Sequence, residues 1–533
     1  MKHPRLLAGV SALALIAGAV LLLAAPLAAD PKGPKDCGSI LPPLPAPKPA
    51  PPETAAAAQP VWAQRGGTVN DASCLDRTPV AGVVAPRSEA EVAGALAFAR
   101  ARGLTVSAAG VKHSMGGQAF QRGGLVLDMR AMNAFHLDRE RRTVTVGGGA
   151  TWHDIQKAIH PDFAVKAMQS TDIFTVGGSI SVNAHGMDHR AGAVLGSIRS
   201  LRVMLANGTA LTVSPTENEQ LFRHVVGGYG LFAVILSAEL EVVPNDVYRS
   251  ERAVIAYRDF PALYRRIEAD PSVRLMYAHL STSPGSLLDE TLVYTYRRVD
   301  SDQGLERAPL GEVGSTKMRR LTVNLAKHGA LFQRLKWWSE KTLEHRFESC
   351  TITRAQAMGD GEACLVSRND PMHDSVAYLR NALRKETDIL HEYFIPRDRL
   401  IPFLDGLRRL VRTHDANLLN ASIRAVDSEP TALSYAPDKA FSVVLYLNQK
   451  TNDEGNRRMA RLTSDLIDLA SDQGGRFFLP YQLHYTAAQL QRAYPEIGAF
   501  FAAKRDWDPG GLFGNSWYAR YAPQIASEEV TSG

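Results

Sequence analysis

The sequence predicts an α+β protein with two folded domains, the second built on an antiparallel sheet. Strands alternate with helices over roughly the first 170 folded residues, which indicates a mixed domain. Glycine clusters follow several of these strands, and the middle of the chain combines long charged helical stretches with apolar strands. The chain has 533 residues, 45% hydrophobic and 22% charged, so it is long enough for more than one core.

Residues 1–30 are predicted to be a targeting segment. A basic N-terminus precedes an uncharged run from Leu6 to Ala29. That run is long enough to cross a bilayer, which takes ~20 residues. A cleaved signal peptide and an uncleaved membrane anchor both remain open. Either one predicts export, so that the folded part is periplasmic or faces the non-cytoplasmic side of a membrane.

Residues 31–64 are predicted to be a linker rich in proline and alanine. Proline this dense forms a stiff, extended spacer and no core. The first folded domain is predicted over residues 65–245, a second over 246–475, and a return to the first over 476–526. We find no internal repeat.

Composition argues against two kinds of site. A net charge of +5 is mild for this length, and no basic stripe carries interleaved aromatics, so nucleic-acid binding is not predicted. The chain has four cysteines, and their spacings match no zinc or iron–sulfur pattern, so no metal is predicted. Cys350 and Cys364 could pair in an oxidising compartment, and free thiols are the alternative.

The first folded domain begins with a short apolar strand and a helix. GVVAP (82–86) is the strand, and the helix covers 88–103, with Ser88 and Glu91 as a capping box and Gly103 at its end. The further predicted elements are strands at 104–110, 124–129 and 232–244, a strand–glycine–helix unit at 143–159, and a hairpin at 197–213 that turns at Asn207–Gly208.

The middle region is predicted to form an antiparallel sheet with covering helices. HDSVAYLRNALRKETDIL (373–390) is predicted to be a helix, and HEYFIP (391–396) and FSVVLYLNQ (441–449) are predicted to be strands. The final aromatic and glycine-rich stretch, 500–521, is predicted to pack back on the first domain.

Three glycine clusters carry the chemistry: AAGVKHSMGGQAF (108–120), VGGGATW (146–152) and TVGGSISVNAHGMDH (175–189). Glycine lets a backbone turn its N–H groups toward an anion and lets a phosphate approach closely. Two such loops on one domain suit a pyrophosphate. The dinucleotide fingerprint G-x-G-x-x-G with an acid ~20 residues on is absent, as is a Walker A lysine.

Taken together, these clusters resemble the PCMH-type FAD-binding domain of the vanillyl-alcohol oxidase / p-cresol methylhydroxylase superfamily. The resemblance runs from Val69 to Pro244 and returns near the C-terminus. HSMGGQAFQRGGLVLDM is similar to the first FAD-pyrophosphate loop of sugar-lactone oxidases and cytokinin dehydrogenases. Three further stretches are similar to stretches of the oxidases of decaprenylphosphoryl-ribose and of alditols. They are TVGGSISVNAHGMDH, SIRSLRVMLANG and VVGGYGLFAVI. DWDPGGLFGNSWY resembles the ending of lactone (D-arabinono-1,4-lactone oxidase-like) and alditol oxidases.

The resemblance implies FAD as cofactor, a two-subdomain FAD-binding domain and a cap domain for the substrate. It also implies that His113 is bonded covalently to the flavin, since a neutral imidazole nitrogen is a competent nucleophile; a histidine that only hydrogen-bonds is the alternative. The implied FAD contacts are Gly110, Lys112, His113, Ser114, Met115, Gly116, Gly117, Gln118, Ala119, Thr171, Thr175, Gly177, Gly178, Ser179, Ser181, Val182, Asn183, His185, Gly186, Val234, Ile235 and Asn515.

The resemblance further implies His185, Glu392 and Lys504 as catalytic candidates. His185 could instead be a structural histidine, and Lys504 or Arg505 a solvated helix position. Arg424 and Asn448, on neighbouring strands, could face the substrate. The lysine that decaprenylphosphoryl-ribose oxidases carry after their GGR-type turn is absent here. Tyr481, His484 and Tyr485 follow that turn, and core packing is the alternative for each.

The resemblance implies an FAD-dependent oxidoreductase acting on the CH–OH group of a sugar, polyol or aldonolactone. Oxygen or a quinone is the expected electron acceptor. One alternative is a cell-envelope oxidase of a prenyl-phosphate sugar, and another is a redox-silent flavin-binding protein.

Overall fold

The computed structural model describes residues 26–28, 60, 62–299, 305–307, 309–311, 316–342, 352–354, 365–373, 375–379, 381–383 and 385–532. Most of the predicted targeting segment and linker, and the proposed Cys350–Cys364 pair, lie outside these residues. Within the described part of the chain, no helix is long and apolar enough to cross a membrane. Cys74 is disulfide-bonded.

Strands and helices alternate in the first half of the chain, and longer strands dominate the second. The strands are β1 (Trp62–Arg65), β2 (Thr68–Val69), β3 (Thr78–Pro79), β4 (Gly82–Val84), β5 (Val106–Ala109), β6 (Leu125–Asp128), β7 (Phe135–Asp138), β8 (Thr143–Gly147), β9 (Phe163–Val165), β10 (Ile198–Met204), β11 (Ala210–Val213), β12 (Val234–Pro244), β13 (Val247–Ala256), β14 (Val273–Leu280), β15 (Glu290–Arg298), β16 (Leu305–Arg307), β17 (Ile352–Arg354), β18 (Leu365–Ser367), β19 (Glu386–Pro396), β20 (Asn417–Val426), β21 (Ala440–Lys450) and β22 (Arg476–Phe477). The helices are α1 (Glu89–Ala101), α2 (Trp152–Ile159), α3 (Val176–Ser181), α4 (Glu219–Val225), α5 (Phe260–Ala269), α6 (Thr316–Ala326), α7 (Ala330–Thr342), α8 (Val376–Leu379), α9 (Leu400–Thr413), α10 (Asp453–Asp472), α11 (Ala487–Ala493), α12 (Ile497–Trp507) and α13 (Ser516–Ser532).

The first domain contains two larger sheets, as expected for a two-subdomain FAD-binding fold, and the short antiparallel pair β2-β3. One has the order β1-β4-β6-β5, in which β6 runs parallel to both β4 and β5. The other is antiparallel, with the order β11-β10-β12-β8-β7, and β9 pairs with β12. The predicted hairpin is confirmed, and Gly208 takes the left-handed conformation at its turn, φ +89°.

The predicted start of α1 is confirmed, with one difference. The Ser88 side chain accepts the N–H of Glu91 at 3.2 Å, as an N-cap should. The Glu91 carboxylate reaches one residue further back than a capping box requires and accepts the N–H of Arg87 at 2.8 Å. Val92, Leu96 and other apolar residues of this helix pack on the parallel sheet.

The second domain is built on an eight-stranded sheet, here called the cap sheet, with the order β18-β13-β15-β14-β20-β21-β19-β22. Every pairing in it is antiparallel, and α10 packs on β19 and β21. The predicted helix over 373–390 is wrong. Among the described residues of that stretch, only α8 is helical, and β19 already begins at Glu386, because eleven residues of β19 pair in register with β21 and bury Ile389.

The C-terminal stretch packs against the first domain. The N–H of Val106 in β5 donates to the Leu512 carbonyl at 2.6 Å, and the N–H of Gly514 donates to the Val106 carbonyl at 3.0 Å. The Ser107 hydroxyl donates to the Gly514 carbonyl at 2.7 Å. These bonds add the 512–514 segment to the edge of the parallel sheet.

Glu429 is a buried residue that connects the two domains, and burial disfavours the charged form of its carboxyl group. Its Oε1 atom accepts the N–H of Ala193 at 2.8 Å. Burial, helped by nearby Asp427, raises the pKa of Glu429 from 4.5 to about 7. Because the folded-state pKa lies above the unfolded value, the stability that this group contributes is complete below pH 4.5 and is lost as the pH rises through about 7.

Replacing Glu429 by glutamine, which copies the protonated carboxyl, should therefore stabilise the protein at alkaline pH. We expect the variant to gain up to about 3 kcal/mol over wild type near pH 8 and almost nothing near pH 4. Thermal unfolding across this pH range measures the difference. Equal shifts at both pH values would contradict this account.

Candidate active site

A cavity of about 1770 Å³ lies between the glycine loops of the first domain and one face of the cap sheet. Ligand pockets usually measure roughly 300–1,000 Å³, so this one has room for a large cofactor and a second small molecule. The residues predicted to bind FAD that line it are Gly110, Lys112, His113, Ser114, Met115, Gln118, Ala119, Thr171, Thr175, Gly177, Gly178, Ser179, Ser181, Val182, His185, Ile235 and Asn515.

The first glycine loop leaves the end of β5 and touches the second loop. A Cβ atom on Gly110 would lie 1.8 Å from the Thr175 hydroxyl oxygen, so only glycine allows the two loops to approach this closely. Met115 fixes the far end of the loop, because its N–H donates to the Pro480 carbonyl at 3.2 Å. The ring of His113 lies 5.3 Å from that of Phe174.

Two residues predicted to meet the pyrophosphate instead make hydrogen bonds to another part of the protein. The N–H groups of Gly116 and Gly117 both donate to Asp71 Oδ2, at 2.9 and 2.7 Å, and neither residue lines the cavity. Ser73 donates to the other carboxylate oxygen of Asp71 through its N–H and its hydroxyl. The Asp71 carboxylate thus holds the loop in shape, and burial raises its pKa despite these hydrogen bonds.

The second loop is held by backbone and side-chain bonds to its neighbours. The Val176 and Gly177 N–H groups donate to the carbonyls of Ala150 and Gly148, both at 2.8 Å. The Ser179 hydroxyl accepts the Trp152 indole N–H at 2.9 Å and donates to Gln169 Oε1 at 2.9 Å. This network orients α3 with Gly177, Gly178 and Ser181 toward the cavity.

Three further residues predicted to contact FAD have structural positions outside the cavity lining. The Asn183 side chain accepts the N–H of Leu195 at 3.1 Å. A Cβ atom on Gly186 would lie 1.5 Å from the Met168 carbonyl oxygen, so this glycine permits a close crossing of two chain segments. Val234 is buried in the core beneath the parallel sheet.

Glu392 and His185 form a buried hydrogen-bonded pair at the cap-sheet wall of the cavity. His185 Nε2 lies 2.5 Å from Glu392 Oε1, and the Ser442 hydroxyl donates to the same oxygen at 2.5 Å. The other carboxylate oxygen, Oε2, has one long contact, from the Tyr481 hydroxyl at 3.4 Å. One oxygen of Glu392 is therefore held by two strong donors, and the other keeps most of its capacity to accept a proton.

Electrostatics keep Glu392 charged. Burial opposes the carboxylate, but His185, Arg424 and the Ser442 hydroxyl together hold the pKa of Glu392 below its ordinary value. Burial lowers the pKa of Arg424, and burial together with the charge of Glu392 keeps the pKa of Tyr481 well above its ordinary value. The pocket therefore presents an anionic carboxylate beside a neutral phenol and a guanidinium.

Lys504 is not part of this site. Its ammonium group is buried and pairs with Asp508 at 2.5 Å, and the same carboxylate accepts the N–H groups of Leu512 and Phe513. The pair fixes the end of α12, so the catalytic role predicted for Lys504 is corrected to a structural one. Arg505, its neighbour, is exposed to solvent.

The other polar candidates divide between the cavity and the scaffold. Arg424, Tyr481 and Asn515 line the cavity. Asn448 does not, since its amide donates to Asp388 Oδ1 at 2.7 Å. The ring of Tyr485 stacks on Tyr521 at 4.8 Å in the core. His484 also lies outside the cavity lining, and burial lowers its pKa to about 4.

Sequence reasoning named Glu392 and Arg424 but missed the other members of a polar row across the cap sheet. His279 on β14 pairs with Ser422 on β20, Ser422 pairs with Val444 on β21, and Val444 pairs with Glu392 on β19. All four residues line the cavity. Polar residues at every second position of β20 were the available signal, because they place Asn420, Ser422 and Arg424 on one face. Only the strand order shows that this face meets Glu392.

The residues around the cavity fit FAD. Backbone approaches at Gly110 and Gly177 leave loop walls with little side-chain bulk, where a Cβ on Gly177 would lie 2.8 Å from the Gly148 carbonyl oxygen. Such walls allow close approach of a flat ring and of phosphate groups. The cap sheet adds polar side chains to the same cavity, among them His279, Ser422 and Glu392.

The sequence is similar to those of several known proteins. A family described as "FAD binding domain" matches residues 80–214. Cytokinin dehydrogenase 4 of Arabidopsis thaliana is 33% identical over 476 residues, 82% of this chain and 87% of that protein. Decaprenylphosphoryl-beta-D-ribose oxidase of Mycolicibacterium smegmatis is 36% identical over 148 residues, 27% of this chain and 32% of that protein. An uncharacterized oxidoreductase of Rhodococcoides fascians is 33% identical over 177 residues, 32% of this chain and 39% of that protein.

The chain spans about a third of the length of the Mycolicibacterium and Rhodococcoides proteins but most of the Arabidopsis enzyme. The matched region of the family contains the glycine loops that line the cavity. The chain therefore belongs to the FAD-linked oxidoreductases with a PCMH-type FAD-binding domain, and FAD is its cofactor.

Proposed function

We propose that this flavoenzyme oxidises the CH–OH group of a small polyhydroxyl donor, such as a sugar, polyol or aldonolactone. The observation that carries the proposal is the Glu392 carboxylate, which is buried at the cavity wall and kept anionic by its neighbours. Its Oε1 atom is held by two donors, and its Oε2 atom has one long contact. Oxidation of an alcohol needs a base for the hydroxyl proton, and Glu392 Oε2 has the capacity to accept it.

Bound FAD supplies the two-electron oxidant for the donor carbon. Glu392 Oε2 takes the donor's hydroxyl proton, and His185 and Ser442 hold the carboxylate in place through its other oxygen. His185 is thus a positioning residue. Tyr481 is neutral at physiological pH, because its pKa is well above the ordinary value, so it can donate a hydrogen bond to the donor.

The remaining polar row suits several hydroxyl groups. Burial lowers the pKa of His279 to about 4, which makes it a neutral hydrogen-bonding group near neutral pH. Arg424 and Asn420 add donors on the same face. Polar groups that are buried in this way need partners, and a polyhydroxyl donor supplies them.

Anaerobic bleaching of the flavin absorbance tests the proposal. We expect bleaching by one or more aldoses, alditols or aldonolactones and none by simple amines. A protein that is yellow but bleached by no alcohol, lactone, glycolipid or amine would instead be a redox-silent flavin-binding protein.

A second candidate is oxidation at a carbon bonded to nitrogen. The observation that favours it is the similarity to cytokinin dehydrogenase 4 over most of both chains. Bleaching by a cytokinin and not by polyols would support this function. The similarity to the decaprenylphosphoryl-beta-D-ribose oxidase of Mycolicibacterium smegmatis favours a third donor for the same assay, a prenyl-phosphate sugar.

The acceptor and the location of the enzyme are also part of the proposal. We expect oxygen or a quinone to reoxidise the flavin. An exported location is expected from the uncharged run of residues 6–29.

Covalent attachment through His113 gives a direct test of the loop. We expect a fluorescent band when the denatured protein is run on a gel under ultraviolet light, and no band for His113→Ala. His136→Ala, at an exposed surface histidine, is the matched control and should keep the band. Release of all the FAD on denaturing the wild-type protein would contradict attachment.

A further inference from the structure

The helix pair α6–α7 presents an apolar face to solvent. Leu331, Leu335 and Trp338 are 65%, 51% and 53% exposed, and their spacing places them on one side of α7. Met318 on α6 is 64% exposed. These residues are most of the large hydrophobic side chains that are exposed in the described part of the chain. Single exposed apolar residues need no explanation, but a group on one helix pair indicates a binding surface.

The same pair is strongly basic. Residues 316–342 contain seven Lys or Arg residues and one Glu, a net charge of +6, whereas the whole chain carries +5. Lys327, Lys336 and Lys341 form ion pairs within the protein, so the charge available to a partner is carried by the exposed basic residues. Lys317 and Arg334 are exposed beside the apolar residues. Leu and Trp together with Lys and Arg on one exposed helical surface is the pattern of helices that lie in a membrane interface.

The uncharged N-terminal run ends at this pair. The Asn324 amide donates to the Leu27 carbonyl at 3.0 Å, and Arg320 donates to the Ala28 carbonyl at 3.4 Å. Pro26 and Arg319 both line the cavity. The end of the apolar run, the basic helix pair and one side of the cavity therefore lie together.

We infer that the exposed face of α6–α7 docks on an anionic lipid bilayer. Apolar side chains enter the interface, and the basic side chains contact lipid phosphates. Docking places the side of the cavity lined by Pro26 and Arg319 at the membrane surface, where a lipophilic donor or acceptor is concentrated. The inference does not depend on the identity of the donor.

Because the run of residues 6–29 could bind lipid without any help from α6–α7, the test needs a readout on the helix pair itself. The full chain is mixed with vesicles of phosphatidylcholine and phosphatidylglycerol in equal amounts, with and without bromine on the acyl chains. The difference in emission between wild type and Trp338→Phe reports on Trp338 alone. We expect brominated lipid to quench that difference, and an unquenched difference would overturn the docking.

Vesicle sedimentation gives the second measurement. Lys317→Glu combined with Arg334→Glu is expected to weaken binding by about tenfold or more, since each basic residue near an anionic surface contributes about 1 kcal/mol. High salt should reduce the wild-type affinity in the same direction. Val254→Glu, at another exposed apolar position (47%), is the matched control and should bind like wild type.

Flavin absorbance verifies that each variant is folded. Unchanged sedimentation of the folded double variant would mean that α6–α7 makes no contribution, and the inference would fall even if the N-terminal run held the protein on the vesicle.

Discussion

Replacing Glu392 by glutamine is expected to lower kcat by about 10²–10⁴-fold, the usual contribution of a general base. Glutamine keeps the size of the side chain and an oxygen that can accept from Ser442, but it cannot take a proton at Oε2. The flavin absorbance should stay near that of wild type. Stopped-flow bleaching with a donor measures the loss.

Glu429→Gln is the matched control, because Glu429 is also a buried glutamate but lies outside the cavity lining. It should retain activity close to wild type. If Glu392→Gln were as active as this control, Glu392 would not be the base, and the role proposed for its Oε2 atom would be wrong.

The pH profile separates the roles of Glu392 and His185. Activity needs the charged carboxylate, so the rate falls as the pH drops through the lowered pKa of Glu392. His185 is the first of the neighbours that lower this pKa. His185→Ala should therefore move the acidic limb of kcat/KM to higher pH, which a merely structural histidine would not do.

Replacing Gly186 by alanine is expected to destabilise the protein by about 3 kcal/mol or more, at the upper end for overpacking. The added Cβ would lie 1.5 Å from the Met168 carbonyl oxygen and 2.7 Å from the Gln169 Cα atom. Both are backbone atoms, so no side-chain rotation relieves the collision. A lower Tm is the expected result.

Gly510→Ala is the control for this change. Gly510 is exposed, and a Cβ there would meet nothing within 4 Å. Its Tm should match that of wild type. A Gly186→Ala protein with an unchanged Tm would show that the segment at Met168 moves freely, which contradicts the close crossing.

The loops and strands of the first domain were largely predictable because their signals are local. The hairpin turn at Gly208 and the N-cap at Ser88 each depend on residues a few positions apart. The start of β19 was not predictable, because the sequence pattern over 373–390 favours a helix, and ETDIL becomes a strand only by pairing with β21, more than fifty residues away. Lys504 was misassigned for the same reason, since nothing local shows that its ammonium group is buried.

The sequence by itself determined the family, the cofactor and most of the loop residues that line the cavity, because glycine loops are read from residues close together in the chain. The tertiary structure decided which groups face that cavity. It assigned the Gly116 and Gly117 N–H groups to Asp71, removed Lys504 from the site, and placed His279, Ser422 and Glu392 in one row. Strand order and burial depend on pairings between distant segments, and no local pattern encodes them.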